Sequence, residues 1–371
     1  MESILVVGLH TRPAVFSARA LGMKVYSVDY FGSVDLRGAA DISRSIIHQM
    51  PGVSMGRISE NYSDSKLAHL ARDLEADKIV LTSTVILGRK TLGTPPKRMK
   101  RIKDKAWQLK RVENLGVPVP RWVEVHSKED VGEAAEEIGY PLVLKPAIGD
   151  GGKRIILVRG ANEIPDVTER CIAQEYVRGK PMSVSTLSTG SEDMAISTSL
   201  QILGARFLNQ TGFAYCGNIV PYECGPEPIR MAEAITGEFG VLGWNGVDFV
   251  DTGKGAVFME LNPRFQGTHD CIEMVYGYNI IDSHIGACEG ALPEKRVPKG
   301  YAVRFTLYSK YRATVSGDLR GVSRDVPLPG VITESGEPIT TVVTWAEVRK
   351  VALKRARGTV ADVYKNYLTP L

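Results

Sequence analysis

The chain has little of what usually assigns a sequence quickly. Its five cysteines, Cys171, Cys216, Cys224, Cys271 and Cys288, include no Cys-x-x-Cys pair. That excludes the common zinc and dithiol spacings, and the odd count argues against a disulfide framework. The six histidines show no ligand spacing. No stretch approaches the roughly 20 apolar residues of a membrane span, and no charged-then-apolar leader opens the chain, so the expectation is a cytoplasmic protein with no membrane partner. An excess of one charge is also missing. The 46 basic and 42 acidic residues leave a formal net charge of +4, too small to argue for nucleic acid. Gly-x-x-x-x-Gly-Lys-Ser/Thr, Gly-x-Gly-x-x-Gly opening a helix, and Gly-x-Ser-x-Gly are all absent, which removes the P-loop, dinucleotide and serine-hydrolase fingerprints. There is no internal repeat or low-complexity segment. What remains is an ordinary globular composition, 43% hydrophobic and 24% charged over 371 residues, enough for two or three domains.

The most informative stretch runs from Gly246 to Arg264, Gly-Val-Asp-Phe-Val-Asp-Thr-Gly-Lys-Gly-Ala-Val-Phe-Met-Glu-Leu-Asn-Pro-Arg. It reads as two strands and a tight turn. Side chains alternate along a strand, so Glu260 and Asn262 point the same way. Pairing Thr252 with Ala256 makes Gly253-Lys254-Gly255 a three-residue loop and sets Asp248 opposite Glu260. Two carboxylates and an amide oxygen then converge, a hard-oxygen set suited to Mg²⁺ carrying substrate phosphates. A solvated surface hairpin is the competing reading, but Val247, Phe249, Val257, Met259 and Leu261 give it a core-like pattern, and buried carboxylates need a partner.

A second segment suits a nucleotide. Pro141-Leu-Val-Leu-Lys-Pro146 is a buried strand ending in Lys145, followed by Ala147-Ile-Gly-Asp-Gly-Gly-Lys153 and the apolar strand Arg154 to Val158. Gly149, Gly151 and Gly152 let backbone N–H groups close on phosphate oxygens without Cβ interference. Lys145, emerging from an apolar strand, calls for an anion.

These residues resemble the ATP-grasp superfamily, which includes D-alanine–D-alanine ligase and biotin carboxylase. The order matches: Asp104-Lys105 starting a helix that ends in Leu115-Gly-Val-Pro-Val-Pro120, the Lys145 strand with its glycine loop, Gln174-Glu-Tyr-Val-Arg-Gly179, then Asp248, Glu260 and Asn262. The resemblance implies ATP and Mg²⁺ as cofactors. Lys105 and Lys145 would contact phosphate, Glu175, Tyr176 and Val177 would form the adenine hinge, and Asp248, Glu260 and Asn262 would hold the metal. Gly8-Leu-His-Thr-Arg-Pro13, Asp29-Tyr-Phe-Gly32, Phe213-Ala-Tyr-Cys-Gly217 and Asn262-Pro-Arg-Phe-Gln-Gly-Thr268 are similar to a group of predicted ATP-dependent carboligases related to biotin carboxylase and common in archaea. There are departures. The hinge continues Gly179-Lys-Pro-Met182 where many members carry Gly-x-Glu to meet the ribose. Gly246 stands where D-alanine–D-alanine ligase has an arginine, leaving Arg264 as the cation near the transferring phosphate.

The expected fold is α/β and α+β. A Rossmann-like pre-ATP-grasp domain would span 1–95, an ATP-grasp lobe with the lysines and glycine loop 96–180, a lobe with the metal triad 181–295, and a β-rich segment 296–371. Strands are expected at Ser3–Gly8, Lys24–Asp29, Lys78–Leu81, Tyr301–Tyr308, Val331–Ile332 and Ile339–Thr344. Helices are expected at Pro13–Leu21, Asp64–Leu74, Lys128–Ile138, Val348–Arg357 and Val360–Tyr367. Alternating β and α units argue for a parallel sheet whose carboxyl-end loops face a cleft. Arg12 there could hold a substrate carboxylate or sit in a helix-capping turn. Lys97 to Arg111 carries eight basic residues against Asp104; Lys105 is read as turned inward and the rest as a solvated face.

The implied chemistry is phosphorylation of a carboxylate by ATP and capture of the acylphosphate by an amine. Small-molecule carboxylate and amine substrates are the expected partners. Arg264, alongside Lys145, would stabilise the transferring group or cap the turn after Pro263 through a salt bridge. Tyr215, Gln266, Gly267 and Thr268 are candidate substrate contacts, and His269 a helix-start residue. Competing expectations are a bicarbonate-activating carboxylase and a non-catalytic ATP-binding protein. A homo-oligomer is possible.

Overall fold

The structure is a computed structural model in which residues 1–149 and 154–371 are described. The chain begins with strands β1 (Ser3–Val7), β2 (Lys24–Asp29), β3 (Ile42–Ser45) and β4 (Lys78–Leu81), interleaved with helices α1 (Arg12–Ala20), α2 (Val34–Ala39), α3 (Ile58–Asn61) and α4 (Asp64–Ala71). They form a parallel sheet in the order β3-β2-β1-β4. A strand covered on both faces must be apolar throughout, and β1 reads Ser-Ile-Leu-Val-Val. Ile4 and Val6 pack with Ala14, Val15 and Ala18 of α1, while Leu5 and Val7 pack with Leu67 and Ala71 of α4.

Next come α5 (Pro96–Ile102), α6 (Lys105–Asn114), β5 (Trp122–Val125), α7 (Lys128–Ile138), β6 (Leu142–Pro146), β7 (Ile156–Val158) and β8 (Cys171–Glu175). The strands make an antiparallel sheet ordered β5-β8-β6-β7. Both α6 and α7 start on side-chain caps. Asp104 accepts the Trp107 N–H at 3.1 Å, and Ser127 with Asp130 forms a capping box.

The third part holds β9 (Lys180–Ser188), β10 (Asp193–Leu203), β11 (Tyr215–Val220), α8 (Pro226–Phe239), β12 (Gly243–Asp251), β13 (Ala256–Asn262), α9 (His269–Tyr276) and α10 (Ile280–Cys288). After it follow β14 (Tyr301–Tyr308), β15 (Ala313–Val315), β16 (Ile332–Thr333), β17 (Pro338–Ala346), α11 (Arg349–Asn366) and β18 (Leu368–Pro370). Here the structure corrects two expectations. The segment from 296 onward is not simply β-rich: it ends on one 18-residue helix, α11, in place of two shorter ones. Gly358, the expected break, lies within α11 and is tolerated because Ala352, Ala356, Val360 and Val363 keep one buried face. Moreover β14 and β17 complete a seven-stranded sheet ordered β13-β12-β9-β10-β11-β14-β17, so this segment shares one sheet with the hairpin.

A buried ionic junction ties the parts together. Asp270 on α9 accepts from Arg304 of β14 at 2.7 Å, from Arg12 of α1 at 3.3 Å, and from Arg324. Arg12 also pairs with Asp35 of α2, and Asp325 with His10 at 2.6 Å and Arg304 at 3.5 Å. Arg12, Arg304 and Asp270 are at most 7% exposed. Among the described residues no helix is long and apolar enough to cross a membrane.

Candidate functional site

The hairpin β12–β13 ends the large sheet and carries the acids, but it turns differently from the expected loop. Asp251, not Thr252, pairs with Ala256, and the Thr252 N–H closes on the Gly255 carbonyl at 3.0 Å. The connection is therefore the four residues 252–255, with Gly253 at φ +77°. That slip of one residue would rotate the acids off their common face. A bulge restores it: Phe249 pairs with Phe258 and Asp248 with Glu260, so Met259 is the extra residue. Asp248 and Glu260 thus end directly opposed.

Each acid meets a definite set of groups. Asp248 accepts from Asn262 Nδ2 at 3.0 Å and from Gln201 Nε2 at 2.9 Å. Burial pushes its pKa up to about 7, opposed by a Ser183 hydrogen bond and reinforced by Glu260. Glu260 lies 3.0 Å from Lys105 Nζ, which also donates to the Gly149 carbonyl at 2.5 Å. Lys145, on β6, is 5% exposed; burial draws its pKa down to about 8, with Glu260 and Lys105 acting in opposite directions. Arg264 Nη2 donates to Asn262 Oδ1 at 3.2 Å and Nη1 to the Phe265 carbonyl at 3.0 Å. Among the described residues it has no carboxylate within ion-pair distance, so a turn-capping salt bridge is not its role here.

Thus Lys105, Lys145, Asp248, Glu260, Asn262 and Arg264 come together. Asp248, Glu260 and Asn262 Oδ1 are the oxygens that could hold a divalent cation. The donor set fits one, since two carboxylates stand directly opposed, with the pKa of Asp248 raised by burial, and want positive charge between them. Among the described residues no group of three His, Cys, Asp or Glu side chains has metal-binding spacing, so a cation here would rely on the amide oxygen and on phosphate. Gly151 and Gly152 lie outside the described residues. At the expected hinge, Glu175 and Tyr176 give their N–H groups to the Arg121 and Pro141 carbonyls. Glu175 also faces Arg121 at 3.2 Å.

Of the candidate substrate contacts, Gln266 folds over Gly246, where any Cβ would collide with its amide, and accepts from Ser185 Oγ at 3.2 Å. Tyr215 OH accepts from Asn218 Nδ2 at 2.6 Å and abuts Gly267. Thr268 lies 3.4 Å from Ser185 Oγ. Arg12 is not brought here; its guanidinium belongs to the ionic junction.

Sequence reasoning missed two supports. Gln108, one helical turn after Lys105, accepts from the Leu261 N–H at 2.7 Å and donates to its carbonyl at 3.0 Å. Its amide thereby extends the β ladder at the residue between Glu260 and Asn262. Arg170 grips the capping residue Asp104 at 2.7 and 3.2 Å and also Glu124 at 2.7 Å, fixing the helix start that carries Lys105. The i, i+3 spacing of Lys105 and Gln108 was a readable signal; their common target was not.

Residues 102–268 match the family described as the ATP-grasp domain. The chain carries an ATP-grasp domain. The match includes Lys105, Lys145, Asp248, Glu260, Asn262 and Arg264. Over 361 residues the chain is 29% identical to the uncharacterized protein MJ0776 of Methanocaldococcus jannaschii, covering 94% of this chain and 89% of that one. Among solved structures it superposes on a biotin carboxylase–βγ-ATP complex from Campylobacter jejuni with a TM-score of 0.76 at 19% identity, covering 99% and 97% of the two chains. Phosphoribosylamine–glycine ligase from Thermotoga maritima gives a TM-score of 0.73 at 13% identity, covering 97% and 96%. At such identities the superpositions establish the fold. The domain match and the superpositions agree on an ATP-grasp fold.

Proposed function

We propose that this chain is an ATP-dependent carboxylate–amine ligase that forms an amide on a small metabolite through an acylphosphate, releasing ADP and phosphate. The observation that carries the reading is the directly opposed pair Asp248 and Glu260, with Lys105 against Glu260 and Lys145 buried within electrostatic reach of that same acid. A binding module has no need of such a set. The barrier to the reaction is electrostatic, because an anionic carboxylate must approach an anionic triphosphate.

In this reading Asp248, Glu260 and Asn262 hold Mg²⁺, which when bound would neutralise the phosphate oxygens and orient them. Lys105 leaves the Gly149 carbonyl to contact phosphate, and Lys145 contacts it from the facing sheet together with Gly149, Gly151 and Gly152. Glu175 to Val177 meet the adenine edge. Arg264, without an ion-paired acid among the described residues, would bind the substrate carboxylate or the acylphosphate as charge builds there. Tyr215, Gln266, Gly267 and Thr268 line the acceptor side. The divisions at residues 95 and 180 serve as the working domain map, while 295 marks only where the chain returns to complete the large sheet.

A second reading, activation of bicarbonate as carboxyphosphate, is supported by the fold shared with the Campylobacter jejuni biotin carboxylase. One experiment separates them. Phosphate release from Mg-ATP is measured with hydroxylamine present, adding single organic or amino acids in one series and bicarbonate in another. Hydroxamate formed with one acid is expected and names the carboxylate. Turnover with bicarbonate alone and no hydroxamate from any acid would replace the ligase with a carboxylase.

A further inference from the structure

Away from Asp248 the same face of the seven-stranded sheet continues in groups of one kind. Asp248 is opposite Ser183, and Ser183 opposite Ser199. One step along, Gly246 is opposite Ser185 and Ser185 opposite Ser197. Gln201, two residues beyond Ser199, is opposite Asn218. Period-two alternation puts these side chains on one face, and the hydrogen bond from Gln201 to Asp248 agrees. Gln266 to Thr268 roof this floor, held by Ser185 below Gln266 and by Asn218 Nδ2 donating to the Gly267 carbonyl at 3.1 Å.

Two properties mark the floor. Ser183, Ser185, Ser197, Ser199 and Asn218 are each at most 5% exposed, yet Ser197 Oγ, Ser199 Oγ, Asn218 Oδ1 and Gln266 Nε2 have no hydrogen-bond partner among the described residues. An unpaired buried polar atom is destabilising, and here several cluster beside the opposed acids. The floor is also uncharged. Beyond Asp248 the next ionised group across the strands is Arg304, opposite Asn218 and committed to Asp270 and Asp325. Burial keeps Tyr215 a neutral phenol and His269 a neutral imidazole.

We infer that this floor receives the acceptor of the reaction and that the part it recognises is uncharged and rich in hydrogen-bonding groups, an amide-bearing or polyhydroxylated amine as opposed to an amino acid with a free carboxylate. The inference rests on the ligase reading. A carboxylate on this floor would be buried close to Asp248 and Glu260, and the neighbouring cation, Arg304, is already paired with Asp270 and Asp325. A hydroxyl or amide instead offers a donor to Asn218 Oδ1 and meets the serine hydroxyls in either sense. The acceptor nitrogen would attack the acyl carbon with its lone pair. The bond from that carbon to the phosphate oxygen breaks with its electrons leaving on phosphate, and the proton shed by the nitrogen goes to the departing phosphate.

The test uses the full chain with the acid that yields hydroxamate. Hydroxylamine competes in one mixture with glycinamide or glycine, and in a second with serinol or serine. Mass spectrometry reads the ratio of amide product to hydroxamate, so a general loss of folding or phosphoryl transfer cancels. The neutral member of each pair is expected to win by about tenfold or more, and Asn218→Asp, which adds an anion to the floor, to lower its ratio about tenfold. Amino acids matching or exceeding their neutral partners, or a ratio unmoved by Asn218→Asp, would overturn the inference alone. No hydroxamate from any acid would overturn the ligase reading and this inference with it.

Discussion

Two buried charge clusters of similar size sit in this molecule, and they are built on opposite principles. In the junction, Arg12, Arg304 and Arg324 meet Asp35, Asp270 and Asp325, so each charge has an opposite neighbour. Although burial raises the pKa of Asp270, the three guanidinium groups more than offset it and the net shift is downward. In the site, Asp248 faces Glu260 across a ladder and Lys145 lies beside Lys105. Burial and like charge leave Asp248 pushed up to about 7 and Lys145 drawn down to about 8. Matched charge makes a joint; mismatched charge makes a place for a ligand. Burial alone would not have told them apart.

The sharpest way to break this contrast is to remove an acid from each cluster. Asp248→Ala or Glu260→Ala should abolish Mg-ATP turnover. With Asp248→Ala the thermal midpoint stays level or rises, because a mismatch has been relieved, whereas Glu260→Ala lowers it, because Lys105 loses its ion-pair partner. Activity retained in either variant would remove the metal assignment. Asp270→Ala should do the reverse and cost roughly 3–5 kcal/mol of stability, since three arginines lose their shared partner; denaturant melts read this directly. A loss below about 1 kcal/mol would mean that the junction is not a joint.

Two smaller effects refine the comparison. Gln108→Met keeps the volume but drops the bonds to Leu261, so the Mg²⁺ concentration giving half-maximal turnover should rise about 10–100-fold, with saturating Mg²⁺ restoring most of the rate. An unchanged Mg²⁺ requirement would reduce Gln108 to packing. Asp29 tests mismatch outside the site: Oδ1 accepts the Gly32 N–H at 2.9 Å, Oδ2 is buried without a partner among the described residues, and burial pushes its pKa from 3.8 to about 7. A raised carboxyl pKa means the native state keeps a proton that the unfolded chain has lost. Asp29 therefore drains stability as pH rises from about 4 to about 7. Asp29→Asn should melt about level with the parent near pH 4 and a few degrees higher above pH 7; a gap that does not widen with pH would argue against it.

Much of the fold was legible because its signals are local. The apolar run in β1, the Asp104 and Ser127 caps, and the boundaries of β2, β4, α7 and β14 follow from composition over a few residues. The break expected inside α11 failed because Gly358 costs about 1 kcal/mol in a helix, less than its buried face returns. For the site, alternation along β13 put Glu260 and Asn262 on one side, and opposition to Asp248 was expected from a turn that does not form. The bulge at Met259 supplied it instead.

What the sequence determined by itself is the order of the chemistry: two lysines, a glycine loop, then Asp, Glu and Asn at strand parity. These depend on side-chain type and on periods of two and 3.6, both fixed within a segment. The tertiary structure decided what each group faces. It gave Arg12 to Asp270, 258 residues away, and Gln108 to Leu261, 153 away. It also assembled an uncharged floor from strands β9, β10 and β11. Pairing across such distances depends on which surfaces fit once the sheets have formed, and no local period encodes that.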